Sequence, residues 1–298
     1  MKQLYFLSDK RQPMSCRGVT LPALALLVSV KQLLKRFVPH FVVTWARCYR
    51  LRRHIASYPR RVVEHTYAGH TLKVVLRDRV AAEWYDRDWL RMPEVEFLKK
   101  SRLGKGATVF DAGAHQCVVA LVLAKEVGER GLVVAIEGQT HNATVGIENA
   151  DINRVEQLKV VHGLVAEESG VDLPFTNTLN GAISEFDAAV TVRSVSLDQL
   201  ARQFGFPDVV FVDVEGYECQ VLRGSREVLK HGPDFFIEVH REAGLESHGS
   251  VSEIIDTFRT NDFRLYWSHG EEQEFTALNS ERERELPNHK FFLIARKE

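Results

Sequence analysis

From residue 105 onward, short apolar runs alternate with segments of helical periodicity. The apolar runs predict five strands, over residues 108–112, 133–136 (running into Glu137), 158–162, 208–214 and 234–240. The periodicity predicts helices over residues 118–127, 140–150, 196–204, 217–229 and 251–260. Runs that are apolar on both faces and separated by helices are typical of parallel strands covered on both sides of a sheet.

Two final runs, FRLYW from residue 263 and KFFLIARK from residue 290, have no helix between them. This order predicts an antiparallel pair at one edge of the sheet. The stretch 164–193 is less regular and indicates short strands and loop. We therefore predict an α/β fold, a doubly wound, mostly parallel sheet with an antiparallel edge strand.

The first hundred residues follow a different pattern. RVVEHTYAGHTLKVVL, at 61–76, predicts a hairpin that turns at Ala68-Gly69. Residues 82–106 look helical and end at Gly104. The sequence therefore predicts a basic, helical N-terminal extension (1–60), a hairpin and helix leading into the core (61–104), and the α/β domain (105–298).

Charge is divided unevenly along the chain. Residues 1–61 carry 13 Lys and Arg against one acid, Asp9, whereas the remainder has 26 basic and 39 acidic residues. An acidic body repels a phosphate backbone, so we expect no nucleic-acid partner for it. The four cysteines lack any CxxC spacing and fit reduced thiols in a cytoplasmic protein.

The N-terminal extension leaves two interpretations open. The apolar run at 19–30 has only 12 residues and contains Pro22, whereas a spanning helix needs about 20. The following stretch, 33–53, mixes apolar side chains and Trp45 with Arg and Lys. We favour a helical extension packed on the domain, because Pro22 and Pro39 interrupt a long helix. The alternative is a basic amphipathic stretch that makes peripheral contact with an anionic membrane.

Each predicted parallel strand stops at polar residues: Asp111, Glu137, His162, Asp213 and the pair Glu238/His240. In a doubly wound sheet the ligand lies at the carboxyl ends of the strands, near the switch in strand order. Packing of the core does not require polar side chains at all five ends. We therefore expect a binding site at this edge of the sheet.

The first strand runs into DAGAHQC, residues 111–117, where Gly113 and Ala114 permit a tight turn and close approach of a ligand. Glu137 ends the next strand, where a carboxylate can accept both hydroxyls of a ribose. A nicotinamide dinucleotide would need GxGxxG, but the corresponding positions are Gly113, His115 and Val118. S-adenosylmethionine (SAM), which has no phosphate, fits better, and a nicotinamide-dependent oxidoreductase is disfavoured.

The stretch FVDVEGYE places Asp213, Glu215 and Glu218 within six residues around Gly216. Three carboxylates so close together repel one another unless a ligand, metal or cation uses them. For Glu218 we favour a first-turn acid that interacts with the helix dipole. For Asp213 and Glu215 we favour a functional role.

At these residues the chain resembles the FkbM family of SAM-dependent methyltransferases. The resemblance covers about residues 65–270 and rests on DAGAHQC at 111–117, Glu137, SLDQL with Asp198, DVEGYE at 213–218 and PDFFIEVH at 233–240. It implies a class I, Rossmann-like methyltransferase domain that methylates a hydroxyl of a small molecule or glycan. It also implies a cofactor site formed by Asp111, Gly113, Ala114, His115, Glu137 and Gly138.

By the same resemblance, Asp213 and Glu215 border the methyl group and the acceptor. Because an alcohol must lose its proton, we expect a base at Asp213 or His240, with Glu215 orienting the acceptor. His240 has an alternative role as a cap of its strand. Asp213, Glu215 and His240 could also ligate a metal, but no spacing demands one and none is predicted.

Three positions depart from the family pattern. His115 replaces the loop asparagine, Cys117 the second loop glycine, and Gly138 the proline that follows the ribose acid. His115 is polar and could reach the cofactor's carboxylate, whereas a left-handed conformation at Cys117 would cost roughly 1 kcal/mol. A catalytically weak SAM-fold scaffold that binds partners through its N-terminal segment is therefore an alternative.

The acceptor site is predicted only in outline. Residues 80–95 contain Trp84, Tyr85 and Trp89, and together with 164–193 they are expected to form the acceptor pocket. Aromatic rings there could stack on a sugar ring, although packing against the sheet is the alternative.

Overall fold

A computed structural model describes residues 40–176, 178–179, 182–183, 190–270 and 272–297. Its α-helices are α1 His40–Ser57, α2 Arg79–Tyr85, α3 Pro93–Leu98, α4 Val118–Val127, α5 Thr140–Ile152, α6 Leu197–Phe204, α7 Glu218–Arg223, α8 Arg226–His231, α9 Leu245–His248 and α10 Val251–Thr260. Its strands are β1 Arg61–Tyr67, β2 His70–Leu76, β3 Thr108–Ala112, β4 Leu132–Glu137, β5 Leu158–His162, β6 Leu164–Val165, β7 Asp172–Thr176, β8 Ala182–Ile183, β9 Val190–Val195, β10 Val209–Val212, β11 Asp234–Val239, β12 Phe263–Ser268, β13 Thr276–Ala277 and β14 Phe291–Lys297. The apolar run at 19–30 lies outside the described residues.

The main sheet has eight strands in the order β13-β12-β14-β11-β10-β3-β4-β5. Strands β5, β4, β3, β10 and β11 are parallel, and β14 is antiparallel to both β11 and β12. This confirms the predicted doubly wound fold with an antiparallel pair towards one edge. The strand order reverses between β3 and β10, so the crevice for a ligand opens at their carboxyl ends.

Alternation along the central strands builds one hydrophobic core on each face of the sheet. Val109 and Phe211 belong to the core that α4 and the hairpin cover. Phe110 and Val210 belong to the opposite core, beneath α6, α7, α8 and α10. Since both faces are covered, the strands need the continuous apolar runs seen in the sequence.

The hairpin β1–β2 turns at Ala68 and Gly69, as predicted, and contacts the α/β domain through asparagine side chains of α5. Asn149 Oδ1 accepts the N–H of Val75 at 2.8 Å, and Asn153 Oδ1 accepts the N–H of Lys73 at 2.9 Å. These bonds satisfy backbone donors on the outer edge of β2.

Buried Asp78, just after β2, joins the hairpin to the α/β domain. Its carboxylate caps α2 at the N–H of Ala81 and accepts Gln116 Nε2 at 2.6 Å. The same carboxylate lies 2.9 Å from His141 Nε2 in α5. Through its bond to Gln116, Asp78 therefore fixes the loop that follows β3 to the segment after the hairpin.

Two predicted helices are each divided in two, so those predictions were wrong in extent. The segment 217–229 breaks at Gly224, where a Cβ would lie 2.4 Å from the Ala166 carbonyl oxygen. Asp198 Oδ1 accepts the N–H groups of Glu227 and Val228, at 3.0 Å each, and so starts α8 separately. The segment 82–106 divides between α2 and α3, since Pro93 can begin a helix but not continue one.

Candidate active site

A cleft opens at the carboxyl edge of β3, β4 and β10, with about 630 Å³ of space out to its mouth. Six predicted site residues line it: Gly113, His115, Glu137, Gly138, Asp213 and Glu215. Asp111 and Ala114 are buried next to it, and His240 lies behind the acidic residues.

The loop after β3 lies directly against the start of the β10 loop. Gly113 has φ +88°, and a Cβ there would lie 1.7 Å from the Asp213 carbonyl oxygen. Only glycine allows both this conformation and this approach. The turn therefore brings the predicted cofactor loop and the predicted catalytic acid to the same point.

The loop continues with two non-glycine residues in the left-handed region, His115 at φ 48° and Cys117 at φ 62°. Each costs roughly 1 kcal/mol or more relative to glycine. Cys117 immediately precedes α4 and is fully buried. Cys117 thus adopts the left-handed conformation that the family's glycine would favour, at a cost in backbone strain.

The loop amides are already bonded within the protein. The N–H groups of Gly113 and Ala114 donate to the Ile136 carbonyl at 2.9 and 3.0 Å. Those of His115 and Cys117 donate to Glu137 Oε2 and to the Ala114 carbonyl, both at 2.8 Å. A pyrophosphate needs free backbone donors at such a turn, and these four amides offer none.

Glu137 is buried at the end of β4, with its carboxylate held by two backbone amides. Oε1 accepts from Gln139 at 2.6 Å, and Oε2 accepts from His115. Burial raises the pKa of Glu137 to about 7, although these two bonds act against the rise. Each carboxylate oxygen keeps acceptor capacity, so Glu137 could still bind two hydroxyls of a ribose.

Asp111 lies deeper and is the next-to-last residue of β3. One of its oxygens is buried without a hydrogen-bond partner among the described residues. Burial raises the pKa of Asp111 to about 7. Two carboxyl groups of the site, Asp111 and Glu137, therefore titrate near neutrality.

Beyond Glu137 the cleft has an apolar wall. A Cβ on Gly138 would lie 2.3 Å from Leu164 Cδ2 and 3.2 Å from Phe175 Cζ. Leu164 and Phe175 belong to a small sheet, β6-β9-β7-β8, formed by the irregular stretch 164–193. The glycine that replaces the family's proline thus leaves room for this inserted wall.

His115 joins the loop to the aromatic segment around α2. Its Nδ1 lies 2.7 Å from the Tyr85 hydroxyl, and its ring centroid lies 5.0 Å from that of Trp84. Burial lowers the pKa of His115 to about 4, so its ring is neutral at physiological pH. Of residues 80–95, Trp84 lines the cleft.

The acidic side of the cleft is formed by the tight turn after β10. Asp213 follows the last strand residue, and Glu215 has φ 52° next to Gly216 at φ 93°. Burial raises the pKa of Asp213 well above its usual range, and the charges of Glu238 and Glu215 raise it further. Asp213 Oδ1 has no hydrogen-bond partner among the described residues.

His240 stands among four carboxylates. Its Nδ1 lies 3.2 Å from Glu218 Oε1, and its Nε2 lies 3.2 Å from Glu238 Oε1, 3.7 Å from Asp213 Oδ1 and 3.8 Å from Glu215 Oε2. Burial alone would lower the pKa of His240, but bonds to Glu218 and Glu238 and the charge of Asp213 raise it to about 11. The ring is therefore an imidazolium at neutral pH.

Of this cluster, the sequence prediction missed Lys290 and gave Glu218 only an interaction with the helix dipole. Glu218 is fully buried and accepts from the N–H of Gly216 at 3.0 Å and of His240 at 3.3 Å, besides meeting the His240 ring. Lys290 Nζ lies 2.5 Å from Glu238 Oε1. Lys290 precedes β14, and the antiparallel pairing of β14 with β11 brings it to the carboxyl edge of β11.

Ligand atoms of Asp213, Glu238 and His240 lie within 4.8 Å of one another, close enough to share a metal ion. An imidazolium has no lone pair to give, and the ammonium of Lys290 already compensates Glu238. A metal ion would have to displace the proton of His240 before the three side chains could share it.

Similar solved structures are methyltransferases. The chain is 18% identical to a SAM-dependent methyltransferase from Aquifex aeolicus (TM-score 0.41; 73% of this chain, 93% of that one). It is 16% identical to methyltransferase FkbM from Methylobacillus flagellatus KT (0.42; 63% and 43%) and 14% identical to a SAM-dependent O-methyltransferase from Thermotoga maritima (0.41; 80% and 77%). No curated protein sequence matches the chain.

The sequence profile of the methyltransferase FkbM domain matches residues 111–265, more than half of the 298 residues. The matched region begins at Asp111 and includes both Glu137 and the turn after β10. The arrangement of Gly113 and Glu137 suits a nucleoside without phosphates. The chain therefore belongs to the FkbM family of methyltransferases, whose cofactor is SAM.

Proposed function

We propose that the protein is a SAM-dependent O-methyltransferase that acts on a hydroxyl of a neutral or cationic small molecule or glycan. The observation that carries the proposal is Asp213, a pocket carboxylate with a raised pKa and a buried oxygen that accepts no hydrogen bond from the described residues. Such an oxygen is free to accept the proton of an incoming hydroxyl.

We assign the cofactor half of the cleft to the carboxyl ends of β3 and β4 and to the loops that follow them. Glu137 would accept the ribose hydroxyls, while Gly113 and Gly138 leave space for close approach and His115 offers a neutral, polar ring. When bound, SAM supplies an electrophilic methyl group on a positively charged sulfur. The carboxylates of Asp111 and Glu137 are suited to a cationic ligand, since a nearby positive charge favours their ionised forms.

In the second half of the cleft, Asp213 acts as the base. Its raised pKa makes it a stronger base than a solvated carboxylate, while the positive charge of His240, 3.7 Å away, favours its ionised form. His240 itself is protonated and has no lone pair with which to take a proton. We therefore assign His240 to charge compensation and positioning rather than to the base role.

Glu215 orients the acceptor from the same turn. Its carboxylate borders the cleft and lies 3.8 Å from His240 Nε2, so one oxygen can accept a second hydroxyl while the turn stays fixed. Much of the rate acceleration in an in-line methyl displacement can come from such positioning.

The lining also restricts the charge of the acceptor. Glu137, Asp213 and Glu215 are acidic, and the described residues that line the cleft include no Lys or Arg. A phosphate or carboxylate on the acceptor would therefore find no lysine or arginine in the lining to compensate its charge. Trp84 and Phe175 supply flat apolar faces, which suit the ring of a sugar or of a polyketide-like compound.

The test is methyl transfer from methyl-labelled SAM to a panel of neutral, amino and phosphorylated sugars and of hydroxylated aromatic compounds. We expect O-methyl product from a neutral or amino acceptor and none from its phosphorylated form. Preference for phosphorylated acceptors would contradict the charge argument. SAM binding by calorimetry without transfer to any member would favour the non-catalytic scaffold.

A further inference from the structure

Helix α1 presents a row of large apolar side chains to solvent. Trp45 is 66% exposed, Tyr49 48% and Val42 37%. Spacings of three and four residues place them along one face. The two rings stack on each other, with centroids 5.4 Å apart and planes 11° apart. This row is separate from the cleft and has no part in the proposed reaction.

The helix gains little from the protein core. Among the α1 residues whose side chains are described, none is buried. In water most helix stability comes from packing an apolar face rather than from propensity. An 18-residue helix of this kind is therefore suited to a second surface that can cover its apolar row.

The charge of α1 indicates the nature of that surface. The helix contains Arg47, Arg50, Arg52 and Arg53 and no Asp or Glu. Arg52 and Arg53 follow Tyr49 by three and four residues, so they continue the apolar row on the same face, and both are exposed. A surface that binds this face must offer an apolar region to the row of apolar side chains and negative charge to the arginines.

We propose that α1 lies on an anionic lipid bilayer, with Trp45 and Tyr49 at the level of the headgroups and Arg52 and Arg53 on lipid phosphates. Trp and Tyr are enriched at this depth, and basic amphipathic helices bind anionic membranes there. The helix does not cross the bilayer: within the described part of the chain, no helix is both long and apolar enough.

Contact through α1 would also hold the catalytic domain at the membrane. Arg60, between α1 and β1, pairs with Glu148 of α5 at 2.6 Å. Arg77, just after β2, pairs with the same carboxylate at 2.9 Å. The segment after the helix and the segment after the hairpin are thus each tied to the α/β domain by one arginine, on the same glutamate.

A single-stranded nucleic acid is the other anionic partner with apolar faces. It would need rings that stand apart as platforms for bases. Here the two rings stack on each other, and the row begins with Val42, which has no π-face. The observations therefore favour lipid.

The test is flotation of the full chain with vesicles of phosphatidylcholine, with and without phosphatidylglycerol. We expect binding to the anionic vesicles only, weakening with added salt. The pair Trp45→Ala and Tyr49→Ala should lower the partition coefficient at least about tenfold. Arg52→Gln should lower it about fivefold.

Phe206→Ala is the matched control, because Phe206 is 42% exposed on the α/β domain, and it should leave binding unchanged. Equal binding to neutral vesicles, or unchanged binding of the aromatic pair variant, would overturn the proposal. So would tighter binding to a single-stranded oligonucleotide than to anionic vesicles. SAM affinity, measured in parallel, should be the same in all variants, so that failure here is separate from failure of the proposed reaction.

Discussion

The thiol of Cys117 lies against Gly146 of α5, at a distance that leaves no room for a larger residue there. A Cβ on Gly146 would lie 2.5 Å from Cys117 Sγ and 3.2 Å from Cys117 Cβ. The side chain that replaces the family's loop glycine is thus accommodated by a glycine on the facing helix. Cys117 is buried and does not line the cleft, so the proposed cofactor half of the site is not blocked by it.

This pairing predicts that the effect of Gly146→Ala changes sign with the residue at 117. In the natural chain the added methyl overpacks the contact and should lower the free energy of unfolding by about 1–3 kcal/mol. With Cys117→Gly in place, the same change should be neutral or stabilising by up to about 1 kcal/mol, since alanine is the better helix residue.

Urea denaturation of the two single variants and the double variant measures this coupling. Additive effects would show that the two residues do not compete for space. Because Cys117 is buried outside the cleft, Cys117→Gly alone should leave the Kd for SAM within about twofold. A large gain in affinity would instead mean that the natural loop is compromised.

A second prediction concerns the pH dependence of cofactor binding. Asp111 and Glu137, both with pKa values raised to about 7, become more acidic when a cation binds beside them. SAM binding should therefore release protons, and its affinity should rise from pH 6 to pH 8 by roughly three- to tenfold. Calorimetry in buffers of different ionisation enthalpy measures both quantities.

S-adenosylhomocysteine is the matched ligand, since its sulfur carries no charge, and its affinity should rise much less over the same range. Glu137→Gln should weaken SAM binding and remove part of the proton release. Equal pH dependence for the two ligands would contradict the role given to these carboxylates.

Much of this site is predictable from the sequence because the apolar runs stop at polar residues. Asp111 and Glu137 lie at the ends of buried strands and Asp213 follows one, and the fold itself brings them to one edge. Contacts between distant segments are not predictable in this way. Gly146 opposite Cys117 depends on the packing of two helices.

The same limit applies to the cluster around His240. Lys290 reaches Glu238 only because β14 pairs antiparallel to β11, with Phe292 opposite Glu238. Likewise, the division of the 217–229 helix at Gly224 depends on the backbone at Ala166, which is distant in sequence. Local periodicity carries no information about either neighbour.

A third prediction concerns the charge of His240. Its pKa in the folded protein, about 11, is above the ordinary value of 6.5, so the imidazolium stabilises the fold fully below pH 6.5. That stability is lost as the pH rises towards 11, at up to about 1.4 kcal/mol per pH unit. Urea denaturation from pH 7 to pH 10 measures the slope.

Glu218→Gln removes the carboxylate next to Nδ1 and should flatten this slope. Glu227→Gln, an exposed carboxylate on α8 paired with Arg202, is the control and should leave the slope unchanged. In NMR spectra, the ring of His240, assigned by its loss in His240→Asn, should stay doubly protonated at pH 8. A neutral ring at that pH would return His240 to the list of possible bases.

The most direct test of the proposed mechanism is the rate of methyl transfer by Asp213→Asn, with the acceptor that the wild-type enzyme methylates. Asparagine keeps the shape of the side chain but cannot accept a proton in this way. We expect the rate to fall by about 10²–10⁴-fold while the Kd for SAM stays nearly unchanged. A rate equal to that of the wild type would contradict the assignment of Asp213 as the base.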